Sequence, residues 1–284
     1  MSAVLAEPAV LLPGEEIAPG YRVVELLSRG AALDVYEVWS EARLCSCVAK
    51  TIRPDRADVG RVRHRLLQEG WLLKELAHPH LPRAFETVES VATGSPVVVL
   101  ETDVGLTLEE VVAERRRRLP VADLCHLGRQ LCSALHHLHG RGYLHLDVRP
   151  GNVMAHGGIA TLIDLSIARP PGRVRRGVGT REYLSPEQAF GGTVTAASDV
   201  WGLGATLVEA ATGTAPFAPR DEQERRAFAA GEFLQLARSA PPVASLRRGL
   251  PTRFAALLDV CLAPDPELRP CVLEVHDGLA EWAG

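Results

Sequence analysis

The segment His145-Leu146-Asp147-Val148-Arg149-Pro150-Gly151-Asn152, with Ile163-Asp164-Leu165-Ser166 shortly after it, holds the chain's densest set of reactive groups. Asp147 and Asp164 are carboxylates, and Asn152 adds an amide oxygen. Hard oxygen donors of this kind suit a divalent cation, and a remaining carboxylate can act as a general base. The stretch between them reads as a hairpin, which would bring both ends of the segment together. A D-x-x-x-x-N spacing alone is weak, so its meaning depends on the surrounding organisation.

Upstream, residues 1–20 are rich in Ala, Pro and Glu and read as a tail or loosely packed lead-in. From Tyr21 the segments YRVVELL, DVYEVWS and LCSCVAKTI alternate with period 2, as antiparallel strands do, with Gly30 in the turn between the first two. Residues 59–76 carry a helical stripe ended by His78-Pro79, and strand-like runs follow near 83–91 and 96–101. After Thr102 the texture is helical. Helices are predicted over 108–118, 121–139 with Gly140 as C-cap, 198–212, 225–237 and 251–262, with a last one from Cys271. The Arg115 to Arg118 run reads as a solvated helix end. His136, His137 and His139 lack the carboxylate or thiol company of a metal site.

Composition narrows the function classes. The chain has 284 residues, 46% apolar and 23% charged, which is an ordinary globular balance. A net charge of −4 does not favour nucleic-acid binding. No apolar run approaches the roughly 18–20 residues that span a bilayer, and the first ten residues lack a secretory pattern, so the expectation is a cytoplasmic protein without membrane insertion. Six cysteines without C-x-x-C spacing read as thiols, and Cys45 and Cys47 as small core residues on one strand face. Lysine occurs only at Lys50 and Lys74, and asparagine only at Asn152, beside 29 arginines. Against that depletion a retained Lys or Asn stands out.

At this point the chain resembles the protein kinase family, whose catalytic loop reads H-R-D-x-K-x-x-N and whose metal motif reads D-F-G. The pieces recur in order from Tyr21 to about Trp282. Cys47-Val48-Ala49-Lys50 resembles V-A-I-K, and Glu69 stands where the ion-pair glutamate belongs. His78-Pro79-His80-Leu81 resembles H-P-N-I. Gly179-Thr180 and Ser185-Pro186-Glu187 are similar to the end of an activation segment. Asp199 falls in the helix that braces the catalytic loop, and Arg269 in the motif that pairs with Glu187.

The resemblance implies an α+β, two-lobed kinase-like fold. It would comprise a small antiparallel β-rich N-lobe with one helix over 21–101, a hinge over 101–103 and a larger helical C-lobe over 104–284. Ligands would bind in a cleft between lobes. It implies ATP and Mg²⁺ as cofactors and protein serine/threonine hydroxyls as substrates, in the manner of bacterial members. Asp147 would be the catalytic base; Lys50, held by Glu69, would grip phosphates with help from Arg149; Asn152 and Asp164 would hold metal. Leu27, Gly30, Val35, Val48, Leu100, Glu101, Asp103 and Met154 would form the rest of the ATP site. Thr180 would be a structural contact of Asp147. One of the two lysines and the sole asparagine thus fall on motif positions.

Departures are equally specific. The glycine-rich loop keeps only Gly30, with Ser28 and Leu33 at the other glycine positions, predicting a strain cost of roughly 1–2 kcal/mol if a glycine-only conformation is used there. Leu146 replaces the arginine before Asp147, and Leu165-Ser166 replace Phe-Gly, which predicts a less mobile Asp164 loop. Residues 167–179 contain no Ser, Thr or Tyr, so activation without loop phosphorylation is expected. The alternatives are a nucleotide-binding pseudokinase scaffold and a small-molecule phosphotransferase. The latter explains the Ser-Pro-Glu segment poorly.

Overall fold

The computed structural model describes residues 10–56, 60–102, 105–115 and 118–282. They divide into two compact units, 1–77 with 82–103 and 78–81 with 104–284. The α+β class holds: one unit is sheet-rich with one α-helix, the other mainly helical.

In the first unit, alternating segments build a six-stranded antiparallel sheet from β1 (Glu16–Ala18), β2 (Tyr21–Arg29), β3 (Leu33–Ser40), β4 (Cys45–Ile52), β5 (Ala84–Glu89) and β6 (Pro96–Glu101) in the order β1-β2-β3-β4-β6-β5. Period-2 alternation sends Tyr36, Val38, Cys47, Ala49, Val97 and Val99 into one core layer. The opposite face carries Val35, Val48, Lys50, Val98 and Leu100, fixed by the pairings Val35 with Lys50, Lys50 with Val98 and Val48 with Leu100. Helix α1 (Gly60–Glu75) packs near this face at Gly70, where an added Cβ would lie 2.9 Å from a Val98 methyl. Glycine therefore permits the approach.

Several expectations change here. The lead-in is not loose where it is described: Ile17 and Ala18 are fully buried, and Glu16–Ala18 pairs with β2. Three residues are too few to show a period. Cys47 is buried, and burial with the neighbouring Cys45 pushes its thiol up to about 11, whereas Cys45 at the strand end is exposed. Residues 78–81, expected in the N-lobe, pack with the second unit. The Leu162 N–H donates to the His80 carbonyl (2.9 Å), and His78 stacks on His137 at 5.1 Å.

The second unit begins with β7 (Leu106–Thr107) and α2 (Leu108–Arg115) and continues with α3 (Val121–Gly140). Part of the Arg115 to Arg118 run lies outside the described residues. Helix α3 is capped by Arg141 rather than Gly140, which is itself helical. The loop-rich middle contains the expected hairpin, β8 (Val153–His156) with β9 (Ile159–Leu162), then β10 (Gly172–Arg173), α4 (Pro186–Phe190) and β11 (Thr193–Val194). Helix α5 (Ala196–Thr212) is buried nearly all round. The single helix expected over 225–237 is two, α6 (Glu222–Ala229) and α7 (Leu234–Ala237), separated at Gly231 with φ +92°. Then come α8 (Val243–Leu246), α9 (Thr252–Cys261) and α10 (Val272–Ala280). No helix among the described residues is long and apolar enough to cross a membrane.

Candidate functional site

The site residues of the second unit are organised from α5 outward. Asp199 is buried, with both carboxylate oxygens turned onto the catalytic loop. Oδ2 accepts the His145 N–H (2.8 Å) and lies 2.8 Å from His139 Nε2, while Oδ1 accepts the Leu146 N–H (2.7 Å). Gly202, one turn on, lies against the Val148 carbonyl, which an added Cβ would meet at 2.9 Å. Pinned in this way, Leu146 holds φ at +66°, a left-handed conformation that non-glycine residues seldom adopt without such support.

That geometry delivers Asp147. Its N–H donates to His145 Nδ1 (3.2 Å), which places the ring proton on Nε2, aimed at the Ile163 carbonyl (3.2 Å). Its carboxylate is held from two sides: Oδ1 accepts the Thr180 N–H at 2.8 Å, and Oδ2 accepts the Asn152 side-chain amide at 2.9 Å. Thr180 thus contacts Asp147 through its backbone. The Asn152 amide also donates to the Asp147 carbonyl (2.9 Å), leaving its own side-chain oxygen for another partner. The Ile163 N–H donates to the Asn152 carbonyl (2.9 Å), so the hairpin brings Asn152 beside the Asp164 segment. Asp164 has φ +69° and accepts the Ser166 N–H on Oδ1 (3.1 Å).

Arg149 donates to Glu109 of α2 (3.2 Å), with its Nε 3.9 Å from Asp147 Oδ2. Met154 sits partly buried in β8, opposite Thr107 and Thr161. Glu187 and Arg269 form a two-point ion pair at 2.7 and 2.9 Å. Burial pushes the Glu187 carboxyl up, but the bonds and charge of Arg269 outweigh it and hold that carboxyl below its ordinary range.

In the first unit, Lys50 Nζ lies 2.6 Å from Oε1 of the buried Glu69. Val35, Val48 and Leu100 share the Lys50 face, while Leu27 is half exposed near the end of β2. The Glu101 N–H donates to the Arg83 carbonyl (2.8 Å). Asp103 lies outside the described residues. The strain expected in the glycine-poor loop is absent: Leu44, Leu146 and Asp164 are the non-glycine residues with positive φ among the described residues, and neither Ser28 nor Leu33 is with them.

Two holders of the catalytic segment were missed in the sequence. Gln188 donates to the Leu146 carbonyl (2.8 Å) and the Val178 carbonyl (2.9 Å), and it closes a capping box with Ser185. The S-x-x-Q spacing was legible. His139, which the sequence places in no metal site, is the other: it lies 2.8 Å from Asp199 Oδ2 and so helps orient the carboxylate that holds the loop. Among the described residues no cluster of three His, Cys, Asp or Glu could hold a metal.

Comparison with known proteins agrees with this arrangement. The protein kinase domain family matches residues 21–278. The chain is 31% identical over 265 residues to serine/threonine-protein kinase PknK of Mycobacterium tuberculosis, covering 91% of this chain and 23% of that protein. It is 30% identical over 278 residues to PknB of the same organism, covering 91% and 43%. The chain therefore spans less than half the length of these curated relatives. The crystal structure of the M. tuberculosis PknI kinase domain superposes with a TM-score of 0.73 at 26% identity, covering 97% of this chain and all of that one. The chain belongs to the protein kinase family, in its bacterial, eukaryotic-like serine/threonine branch.

Proposed function

We propose that the chain is an active cytoplasmic serine/threonine protein kinase, transferring the γ-phosphoryl group of ATP to hydroxyls of protein substrates. The observation that carries this reading is the Asp147 carboxylate, oriented by one backbone N–H and one side-chain amide. A base so held accepts the substrate hydroxyl's proton without reorganising. Lys50, oriented by Glu69, grips the nucleotide phosphates as a point charge, and Val35, Val48 and Leu100 offer adenine an apolar face.

The donor set fits Mg²⁺. The Asp164 carboxylate and the Asn152 amide oxygen are hard ligands, and Mg²⁺ takes one or two such groups together with water and phosphate oxygens. Bound there, it would offset the negative charge of the phosphates.

The activation segment supports a kinase that needs no loop phosphate. Leu146 packs in an apolar cluster with Leu144, Val174 and Val194, against Ile167, Val178 and Ala196. Residues 172–173 pair with 193–194, and the Val174 N–H donates to the Gly192 carbonyl (3.0 Å). An arginine before Asp147 would dock a phosphate; here a leucine joins the cluster that holds the segment.

The test is γ-labelled ATP with Mg²⁺ and a generic protein substrate, comparing wild type with Asp147→Asn and Lys50→Met, and mapping phosphate by mass spectrometry. Expected is transfer to Ser or Thr that falls at least about 100-fold in both variants, from enzyme carrying no required phosphate in residues 166–180. Nucleotide binding without transfer would instead identify a scaffold. Activity that depends on phosphate within 166–180 would overturn the account of the segment.

A further inference from the structure

The hairpin joining β2 and β3 has lost two family glycines, yet it is closely tied. Arg29 and Asp34 face each other across its neck, Nε to Oδ1 at 3.0 Å and Nη2 to Oδ2 at 3.3 Å, with the Asp34 carboxylate almost completely buried. The Gly30 N–H closes the tip on the Leu33 carbonyl (2.8 Å). A third element reaches in from the end of β4. The Arg53 backbone N–H donates to the Ala32 carbonyl (3.0 Å), and its Nη1 donates to the Gly30 carbonyl (3.0 Å). The same guanidinium is clamped by Asp55, Nε to Oδ1 and Nη2 to Oδ2, both at 3.0 Å. Asp55 lies in a short 3-10 turn begun by Pro54, whose ring fixes the entry angle. Hydrogen bonds from Arg53 keep the Asp55 carboxyl below its ordinary range, so the clamp is charged at neutral pH.

One residue therefore captures two carbonyls of the tip. In a trans peptide the carbonyl and the N–H point in opposite directions. Turning the Gly30 and Ala32 carbonyls onto Arg53 turns the N–H groups of Ala31 and Leu33 the other way. In a phosphate-binding loop the N–H groups do the binding, and their aim sets the affinity. Arg29 pairs with Asp34 and Arg53 with Asp55, and the Arg53 bonds to the Gly30 and Ala32 carbonyls orient the backbone of the tip.

We propose that Arg53, clamped by Asp55, is a positioning residue for nucleotide phosphates. It presets the tip N–H groups of a hairpin whose neck is locked by Arg29 and Asp34, replacing the order that the family's glycine pattern provides. The proposal rests on the kinase reading of the site. It predicts a defect confined to the phosphate-bearing part of the ligand.

The experiment uses the full chain, with Arg53→Met and Arg53→Lys beside wild type. Calorimetric titration with Mg²⁺ and a non-hydrolysable ATP analogue is paired with adenosine, and thermal unfolding is followed separately. For Arg53→Met the analogue should bind about tenfold more weakly, the scale of one lost charge-assisted hydrogen bond, with adenosine affinity unchanged within about twofold. Arg53→Lys can reach a carbonyl but not form the two-point clamp, and should recover about a third of the wild-type affinity. In turnover the loss should enter KM for ATP rather than kcat. Equal weakening of both ligands, or a fall in kcat and thermal stability with KM unchanged, would show general damage to the sheet and overturn the proposal. Unchanged analogue binding overturns the brace alone. A wild type that binds neither ligand overturns the nucleotide reading and the brace with it.

Discussion

The loop around Asp147 and the hairpin around Gly30 both depart from the family pattern, at Leu146 in one and at Ser28 and Leu33 in the other. They are held in different ways. The catalytic loop hangs on a buried carboxylate from a helix distant in sequence, and the unusual backbone at Leu146 is imposed by that anchor. The hairpin is tied across its own neck by Arg29 and Asp34 and from the end of the next strand by Arg53, and neither of its substituted positions has a positive φ. Strain persists where buried groups over-determine the backbone. At the hairpin the buried Asp34 holds only the neck, and the substituted positions keep an ordinary backbone.

The largest effect should follow from cutting the buried anchor. Asp199→Ala leaves the N–H groups of His145 and Leu146 without their acceptor in a buried setting. Unpaired buried donors cost about 1–3 kcal/mol each, so a stability loss of about 3–5 kcal/mol is expected, with transfer activity lost. Denaturant unfolding measures it. A loss below about 1 kcal/mol would mean that the loop holds its shape without α5.

An intermediate effect is expected at Leu146. Truncation to Ala removes a buried side chain that packs with Val174 and Val194, and such changes cost about 2–5 kcal/mol. Hydrogen exchange should quicken at residues 172–178 while the 28–35 hairpin keeps its rate. Equal quickening in both regions would deny that the apolar clasp acts locally.

The two regions also differ in how far they could be read from sequence. Asp147, Asn152 and Asp164 were legible because their spacing is local and the hairpin between them is local too. Lys50 and Glu69 were found through motif order, and the long helical stripes through their period. What escaped reading was set by tertiary partners. Ile17 and Ala18 form an edge strand only because β2 lies beside them, and β10 and β11 are two residues each, with no period of their own. His78 to Leu81 lie in sequence within the sheet-forming part of the chain but bond to β9 and α3. Arg53 and Asp55 were overlooked for another reason: amid 29 arginines, one more carries no signal until its carbonyl partners are seen.

The smallest effect should come from restoring the missing glycine at Ser28. If Ser28 paid a strain cost, Ser28→Gly would tighten ATP binding about tenfold, the equivalent of roughly 1.4 kcal/mol. The structure argues otherwise, since Ser28 is strand residue opposite Val35 without positive φ. Glycine relieves nothing there and adds freedom that folding must remove, worth roughly 0.5–1 kcal/mol. Calorimetry of the variant should therefore find ATP affinity unchanged or lower by about two- to fivefold. A tenfold gain would return the hairpin to the same class as the catalytic loop, a strained backbone held by its surroundings, and would remove the contrast between them.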